Sequence, residues 1–232
     1  MKPWTLVFET WMALAPWGAV AQEAARAAAP GQQADTIVPV LLVPGWFDTG
    51  ADLARLSMRL QDAGWPTEGV RAVTFAHRTG SNRDHAVELA AAVDSLRART
   101  GAARVDVVAH SMGGLATRLY LRDHPGAVRR VVFLGTPHRG TWTAYFAFGE
   151  SRGEMLPGSG FLQELNAGPA VPPGVEAMTV RTLLDTHVLP GESATLPGVP
   201  SLTVCCNTHW GLKRDREIFE AVRSFLAGGE AP

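Results

Sequence analysis

The chain has 232 residues, 46% hydrophobic and 19% charged, which is enough apolar content for one sizeable core and too much for a disordered tail. Its 21 Lys and Arg nearly balance its 22 Asp and Glu, and no basic block occurs, so no nucleic-acid partner is expected. The two cysteines are neighbours, Cys205 and Cys206, which excludes a disulfide-stapled scaffold and a multi-thiolate metal site. No cluster with metal-ligand spacing is visible, so neither metal nor cofactor is expected.

In chain order, residues 1–21 carry one early Lys, an apolar run broken by Glu9 and Pro16, and Ala19-Val20-Ala21 at the end. That is the layout of a secretory signal. A second reading is an interfacial helix, because Trp4, Phe8, Trp11 and Ala15 form one stripe that suits a membrane surface; a helix docked on the protein is the third. Export to the periplasm or medium, or membrane association, is the expectation, with the cytoplasm left open. Residues 22–35 read as a linker, which sets an N-terminal segment over 1–35 apart from a folded domain over 36–232.

Apolar β-branched runs then alternate with amphipathic stretches. Strands are predicted at 37–43, 71–75, 104–109, 128–134, 178–184 and 201–206, and helices at 52–63, 84–99, 114–123 and 215–227. Strands separated by helices require crossover connections, hence a mostly parallel sheet of about six strands with helices on both faces. Ligand sites in such sheets lie beyond the carboxyl ends of the strands.

One strand end stands out. Ala109-His110-Ser111-Met112-Gly113 follows a strand and opens a helix, a near match to G-x-S-x-G with Ala in place of the first Gly. A serine on such a strained turn needs small residues two before and two after it, and Ala109 and Gly113 meet that need. Its hydroxyl then sits at a helix N-terminus, where developing negative charge is favoured.

A serine nucleophile needs a base, and the base an orienting acid. Of the later histidines, His124 sits at a helix end, His138 precedes every strand-end acid, and His187 is only two residues past Asp185. His209 lies just beyond the last strand and is the expected base. Asp185 follows the strand over 178–184 and is the expected acid, with Glu192 the competitor. Backbone N–H groups of Met112, after the serine, and Trp46, after Gly45, are the expected oxyanion donors. Between Gly140 and Val180 lie only about 40 residues, too few for a large cap. Their Trp142, Tyr145, Phe146 and Leu156 are the expected acyl-pocket wall.

At these residues the chain resembles lipases of the α/β-hydrolase family, especially small bacterial ones with an A-H-S-M-G elbow. Gly135-Thr136-Pro137-His138-Arg139-Gly140-Thr141, Asp185 with Val188 and Pro190, and His209 before Gly211-Leu212 carry the resemblance further. It implies an α/β-hydrolase fold with a minimal cap and Ser111, Asp185 and His209 as a catalytic triad. Trp46 and Met112 would be the oxyanion donors, and a lipid or short acyl ester the substrate. One departure is Pro44-Gly45, where the family usually has His-Gly, so the hydrogen bonding of that loop must differ. His138 in the Thr-Pro-His-Arg-Gly run reads as structural. An acyltransferase or amidase would use the same triad, and a catalytically silent binding protein could keep the fold.

Overall fold

The computed structural model describes residues 37–231 and the terminal Met1. The signal, membrane and linker expectations for residues 1–35 lie outside the described residues. Six strands form one sheet: β1 (Val40–Val43), β2 (Val70–Ala72), β3 (Val105–His110), β4 (Val128–Leu134), β5 (Glu176–Thr182) and β6 (Ser201–Val204). Their order is β2-β1-β3-β4-β5-β6 and every pairing is parallel. The register sets Val43 beside Ala109 and His110 beside Leu134, so the carboxyl ends of β1, β3 and β4 finish at one edge.

Side chains alternate between the two faces with a period of two. Val40 and Leu42 of β1 join Val108, Val132, Leu134, Met178 and Val180 on one face. Leu41 and Val43 join Val107, Ala109, Val131 and Phe133 on the other. Helices α1 (Ala54–Asp62) and α6 (Arg216–Leu226) cover the first face through Leu56, Leu60, Ile218, Val222 and Phe225. Helices α2 (Asn82–Thr100) and α3 (Gly113–Asp123) cover the second through Leu89, Val93, Leu96, Leu115 and Leu119. Because both faces are covered, the strands read as continuous apolar runs.

Helix limits follow local chemistry. Ser81 accepts a hydrogen bond from the Arg83 N–H at the start of α2, and Gly101 ends it in the left-handed conformation at φ 70°. Asp215 accepts from the N–H groups of Glu217 and Ile218 at the start of α6. The expected helix over 52–63 is a 3-10 turn over Gly50–Leu53 followed by α1. The last two strands are shorter at their carboxyl ends than their apolar runs suggest. Leu183 and Leu184 lie past β5 and are exposed, and Cys205 and Cys206, joined to each other as a disulfide, lie past β6 with Cys206 at φ 71°.

Between β4 and β5 the chain forms a 3-10 helix over Trp142–Phe146 and two short helices, α4 (Ser151–Met155) and α5 (Gly160–Asn166). None of the three is longer than seven residues, as the length of that segment requires. No helix among the described residues is long and apolar enough to cross a membrane.

Candidate active site

The turn from β3 into α3 holds Ser111 at φ 54°, a left-handed conformation that a residue with a Cβ adopts only when its surroundings compel it. The Ser111 N–H donates to the Leu134 carbonyl at 2.8 Å, and the Ser111 carbonyl accepts from the Gly114 N–H at 3.0 Å. Gly113 is required by close approach: a Cβ there would stand 2.2 Å from the Pro44 carbonyl oxygen. Gly45 is required for the same reason, since its Cβ would stand 2.9 Å from the Ser111 Cβ. The loop after β1 and the elbow after β3 are therefore backbone against backbone, an approach that only glycine allows.

That first loop is held by bonds the sequence does not announce. Phe47, itself at φ 62°, donates its N–H to the Arg78 carbonyl at 3.2 Å, and Arg78 returns a guanidinium bond to the Phe47 carbonyl at 3.1 Å. The Arg78 guanidinium also lies 4.3 Å from the Phe47 ring centroid. The Trp46 indole donates to the Phe148 carbonyl at 3.1 Å, which ties the loop to the segment after the Trp142–Phe146 turn. Neither the Trp46 nor the Met112 N–H donates to a turn or loop carbonyl among the described residues.

Asp185 and His209 are brought together from different strand ends. Asp185 lies three residues past β5, and His209 opens a 3-10 helix over His209–Lys213 after β6, capped by the Thr208 hydroxyl accepting from the Gly211 N–H. The Thr182 hydroxyl donates to the Asn207 carbonyl at 2.7 Å and pins the two loops together. His209 Nδ1 lies 2.9 Å from Asp185 Oδ2, with both side chains 3% exposed. The other oxygen, Asp185 Oδ1, accepts the N–H groups of His187 at 2.8 Å and Val188 at 2.9 Å. Burial by itself would raise the Asp185 carboxyl, but the His209 bond and charge and the two N–H donors outweigh it and hold the carboxyl below its ordinary value. Glu192, the competing acid, faces Arg181 instead, at 3.5 Å.

Behind the serine lies a buried network with no counterpart in the sequence reading. His110 Nε2 lies 3.2 Å from the His209 carbonyl oxygen, and its Nδ1 lies 3.4 Å from Asp48 Oδ2. The same carboxylate oxygen accepts from Lys213 Nζ, a fully buried ammonium. Burial drives the His110 imidazole down to about 4, against the pull of Asp48. Burial by itself would raise the Asp48 carboxyl, but the neighbouring His110 and the bonded Lys213 outweigh it and bring it to about 2. The result is an Asp48 carboxylate bonded to Lys213 beside a His110 that is neutral at neutral pH. It joins the loop after β1 to the 3-10 helix that carries His209.

Ser111 and His209 open onto one cavity of about 380 Å³, whose lining also includes Trp46, Phe146, Met155 and Val188. Of the four residues expected to form the acyl wall, Phe146 lines this cavity; Trp142, Tyr145 and Leu156 do not. The correction follows from the 3-10 turn, in which residues three apart eclipse. Thr143 and Phe146 form one row and Thr141, Ala144 and Ala147 another, and both rows line the cavity. Trp142 and Tyr145 form the third row, stacked on each other at 6.1 Å with both rings exposed. Leu156 packs into the core, and its neighbour Met155 takes the cavity position. The wall is anchored by Glu154, whose carboxylate accepts from the Ser81 hydroxyl at 2.7 Å and from the Asn82 N–H at 2.6 Å, at the start of α2.

The remaining histidines divide between structure and site. His138 is fully buried with its ring edge-on to Phe133, and His124 bonds back to the Tyr120 carbonyl at 3.2 Å. His187, passed over because it is too near Asp185 in sequence, lines the cavity with its ring beside that of His209. Its spacing gave no signal. His110 had one, since it stands inside the elbow motif itself.

Comparison with known proteins agrees with this architecture. Residues 38–150 match the model of the alpha/beta hydrolase fold. A triacylglycerol lipase of Pseudarthrobacter phenanthrenivorans and another of Burkholderia plantarii are each 42% identical to this chain over 59 residues, 25% of its length. The matched segment spans only 18% and 16% of those two proteins. Among solved structures, Aspergillus fumigatus lipase B superposes with a TM-score of 0.72 at 19% identity, covering 84% of this chain and 54% of that one. Bacillus licheniformis lipase BlEst2 in its mature form superposes with a TM-score of 0.67 at 17% identity, covering 82% and 91%. With its all-parallel sheet and the serine turn between β3 and α3, the chain has the α/β-hydrolase fold and is similar to lipases.

Proposed function

We propose that the protein is a serine carboxylic-ester hydrolase of the lipase and esterase type. The observation that carries this reading is His209, bonded to the buried Asp185, lining the same cavity as a serine held at φ 54° on a strand-to-helix turn. Ser111 Oγ attacks the acyl carbonyl carbon while His209 Nε2 takes its proton. Asp185 fixes the tautomer, because a carboxylate at Nδ1 leaves Nε2 as the acceptor, and it stabilises the imidazolium that forms. The N–H groups of Trp46 and Met112 meet the developing oxyanion, a contribution of about 10²–10³-fold in such sites. His209 then protonates the departing alkoxide, which leaves an ester on Ser111. Water, deprotonated by the same ring, attacks that ester, and the ring returns the proton to Ser111 Oγ as the acid leaves.

The lining supports an acyl ester as substrate. Met155, Val188, Ala144 and Phe146 offer apolar surface, and Phe47, Phe146 and Trp210 are exposed at its edge. Clustered exposed aromatics beside an apolar cavity suit a lipid or acyl chain better than a free polar metabolite. The matched lipases are named for triacylglycerol, and an acyl glycerol is the natural first substrate to try. The experiment is Ser111→Ala assayed on p-nitrophenyl esters of graded length. Hydrolysis is expected to fall to background, and hydrolysis at the wild-type rate would refute the assignment.

A further inference from the structure

The imidazole of His209 is flanked by two others. Its ring centroid is 4.9 Å from that of His187, with planes 17° apart, and 4.8 Å from that of His110, with planes 45° apart. The two neighbours differ in kind. His110 is buried among Asp48, Lys213 and the His209 backbone. His187 is half-buried at the cavity and has Trp210 edge-on at 4.3 Å and 64°.

His187 is also the residue through which several parts of the site meet. Its N–H donates to Asp185 Oδ1 at 2.8 Å. Its carbonyl accepts the hydroxyls of Thr141, at 2.7 Å, and Thr143, both from the cavity wall. Its ring is thus fixed at both backbone ends, and its Nδ1 lies 3.1 Å from the Thr186 hydroxyl. A side chain held this firmly can restrain what it packs on.

We propose that His187 is a positioning residue, whose ring, set between Trp210 and His209, keeps the His209 imidazole in the plane where Nδ1 meets Asp185 and keeps solvent from that hydrogen bond. The proposal rests on His209 acting as the base. The imidazole of a general base has two other options, a ring flip and a hydrogen bond to water, and a near-parallel flat neighbour obstructs both. The centroid separation falls in the range of favourable offset stacking. The charged groups facing His187 are His209 and Asp185. Burial, followed by repulsion from a charged His209, holds the His187 imidazole below its ordinary value, with Asp185 opposing.

The test compares His187→Ala with His187→Phe in the full chain. Steady-state hydrolysis of p-nitrophenyl butyrate is read together with the low-field proton resonance of the His209 Nδ1–H. For H187A, kcat is expected to fall about three- to tenfold with KM within about twofold, the scale of a lost ring contact. The Nδ1–H signal should broaden as solvent reaches it. H187F, which keeps a flat ring, should recover both. A residue that only supported the fold would lower the melting temperature without broadening that signal. If H187A unfolds, His187→Gln against H187F gives the same contrast. The proposal is overturned if H187A keeps wild-type kcat and an unaltered signal, or if H187F loses as much as H187A. The resonance can be followed in the Ser111→Ala background, where it needs no turnover. Hydrolysis by S111A at the wild-type rate would sink the esterase reading, whereas an indifferent resonance would sink this one.

Discussion

Replacing Asp185 with Asn tests the orienting role proposed for its carboxylate apart from everything else the residue does. In the folded protein Oδ1 accepts two backbone N–H groups and Oδ2 meets His209 Nδ1 at 2.9 Å. An asparagine keeps its carbonyl oxygen on the two N–H groups, because rotating the amide would aim donors at donors. Its NH₂ then faces His209 Nδ1, which must become an acceptor, so Nε2 carries the proton and cannot take one from Ser111. Both side chains are 3% exposed, so water is poorly placed to repair the mismatch. The expected loss in kcat is about 10³–10⁴-fold, or about 4–5.5 kcal/mol of barrier. The loop should survive, with a melting temperature within about 4 °C of the wild type, because the backbone bonds persist. Stopped assays on p-nitrophenyl butyrate with parallel thermal unfolding would measure both. A loss of less than about tenfold in a folded variant would refute the role given to Asp185.

Three further expectations come from the same geometry. Gly113→Val drives a side chain into the Pro44 carbonyl, 2.2 Å from where its Cβ would lie, and should cost about 3 kcal/mol or more in urea unfolding; a cost under 1 kcal/mol would contradict the close approach. Phe146→Ala should shift the preferred ester length while Trp142→Ala leaves it in place, because Phe146 lines the cavity and Trp142 does not; equal shifts in both would count against the row assignment. Stability should also fall in acid. His110 is depressed to about 4 by burial, so from about pH 6.5 downward the unfolded chain binds a proton that the folded one refuses, and the associated loss of about 3 kcal/mol is complete near pH 4. His138, buried and depressed in the same way, adds to that slope. Chemical denaturation at a series of pH values reads it, and a flat profile between pH 7 and 4 would exclude both histidines as buried neutral groups.

Much of this molecule could be read from its residues in order. Parallel strands buried on both faces must be continuous apolar runs, so β4 was legible to its ends at Val128 and Leu134. The elbow was legible because the steric demand of a strained turn is local: Ala109 and Gly113 sit two residues either side of Ser111. Asp185 and His209 could be picked out as strand-end residues, since a parallel sheet gathers its carboxyl ends along one edge.

Only the tertiary structure decided the rest, because it depends on which distant groups share a volume. Whether an aromatic residue faces the cavity depended on a 3-10 rather than an α-helical turn over Trp142–Phe146, a difference that apolar content does not encode. The loop after β1 carries Pro44-Gly45 and is held by Arg78 and by the Asp48–Lys213 pair, whose two members are 165 apart in sequence. His187 was set aside for standing two residues from Asp185, yet the turn after β5 folds back and lays its ring beside His209. Sequence thus determined the periodic elements and the local turn, where burial and sterics act between near neighbours. The surroundings of the imidazole, assembled from the ends of β1, β3, β5 and β6, came from packing alone.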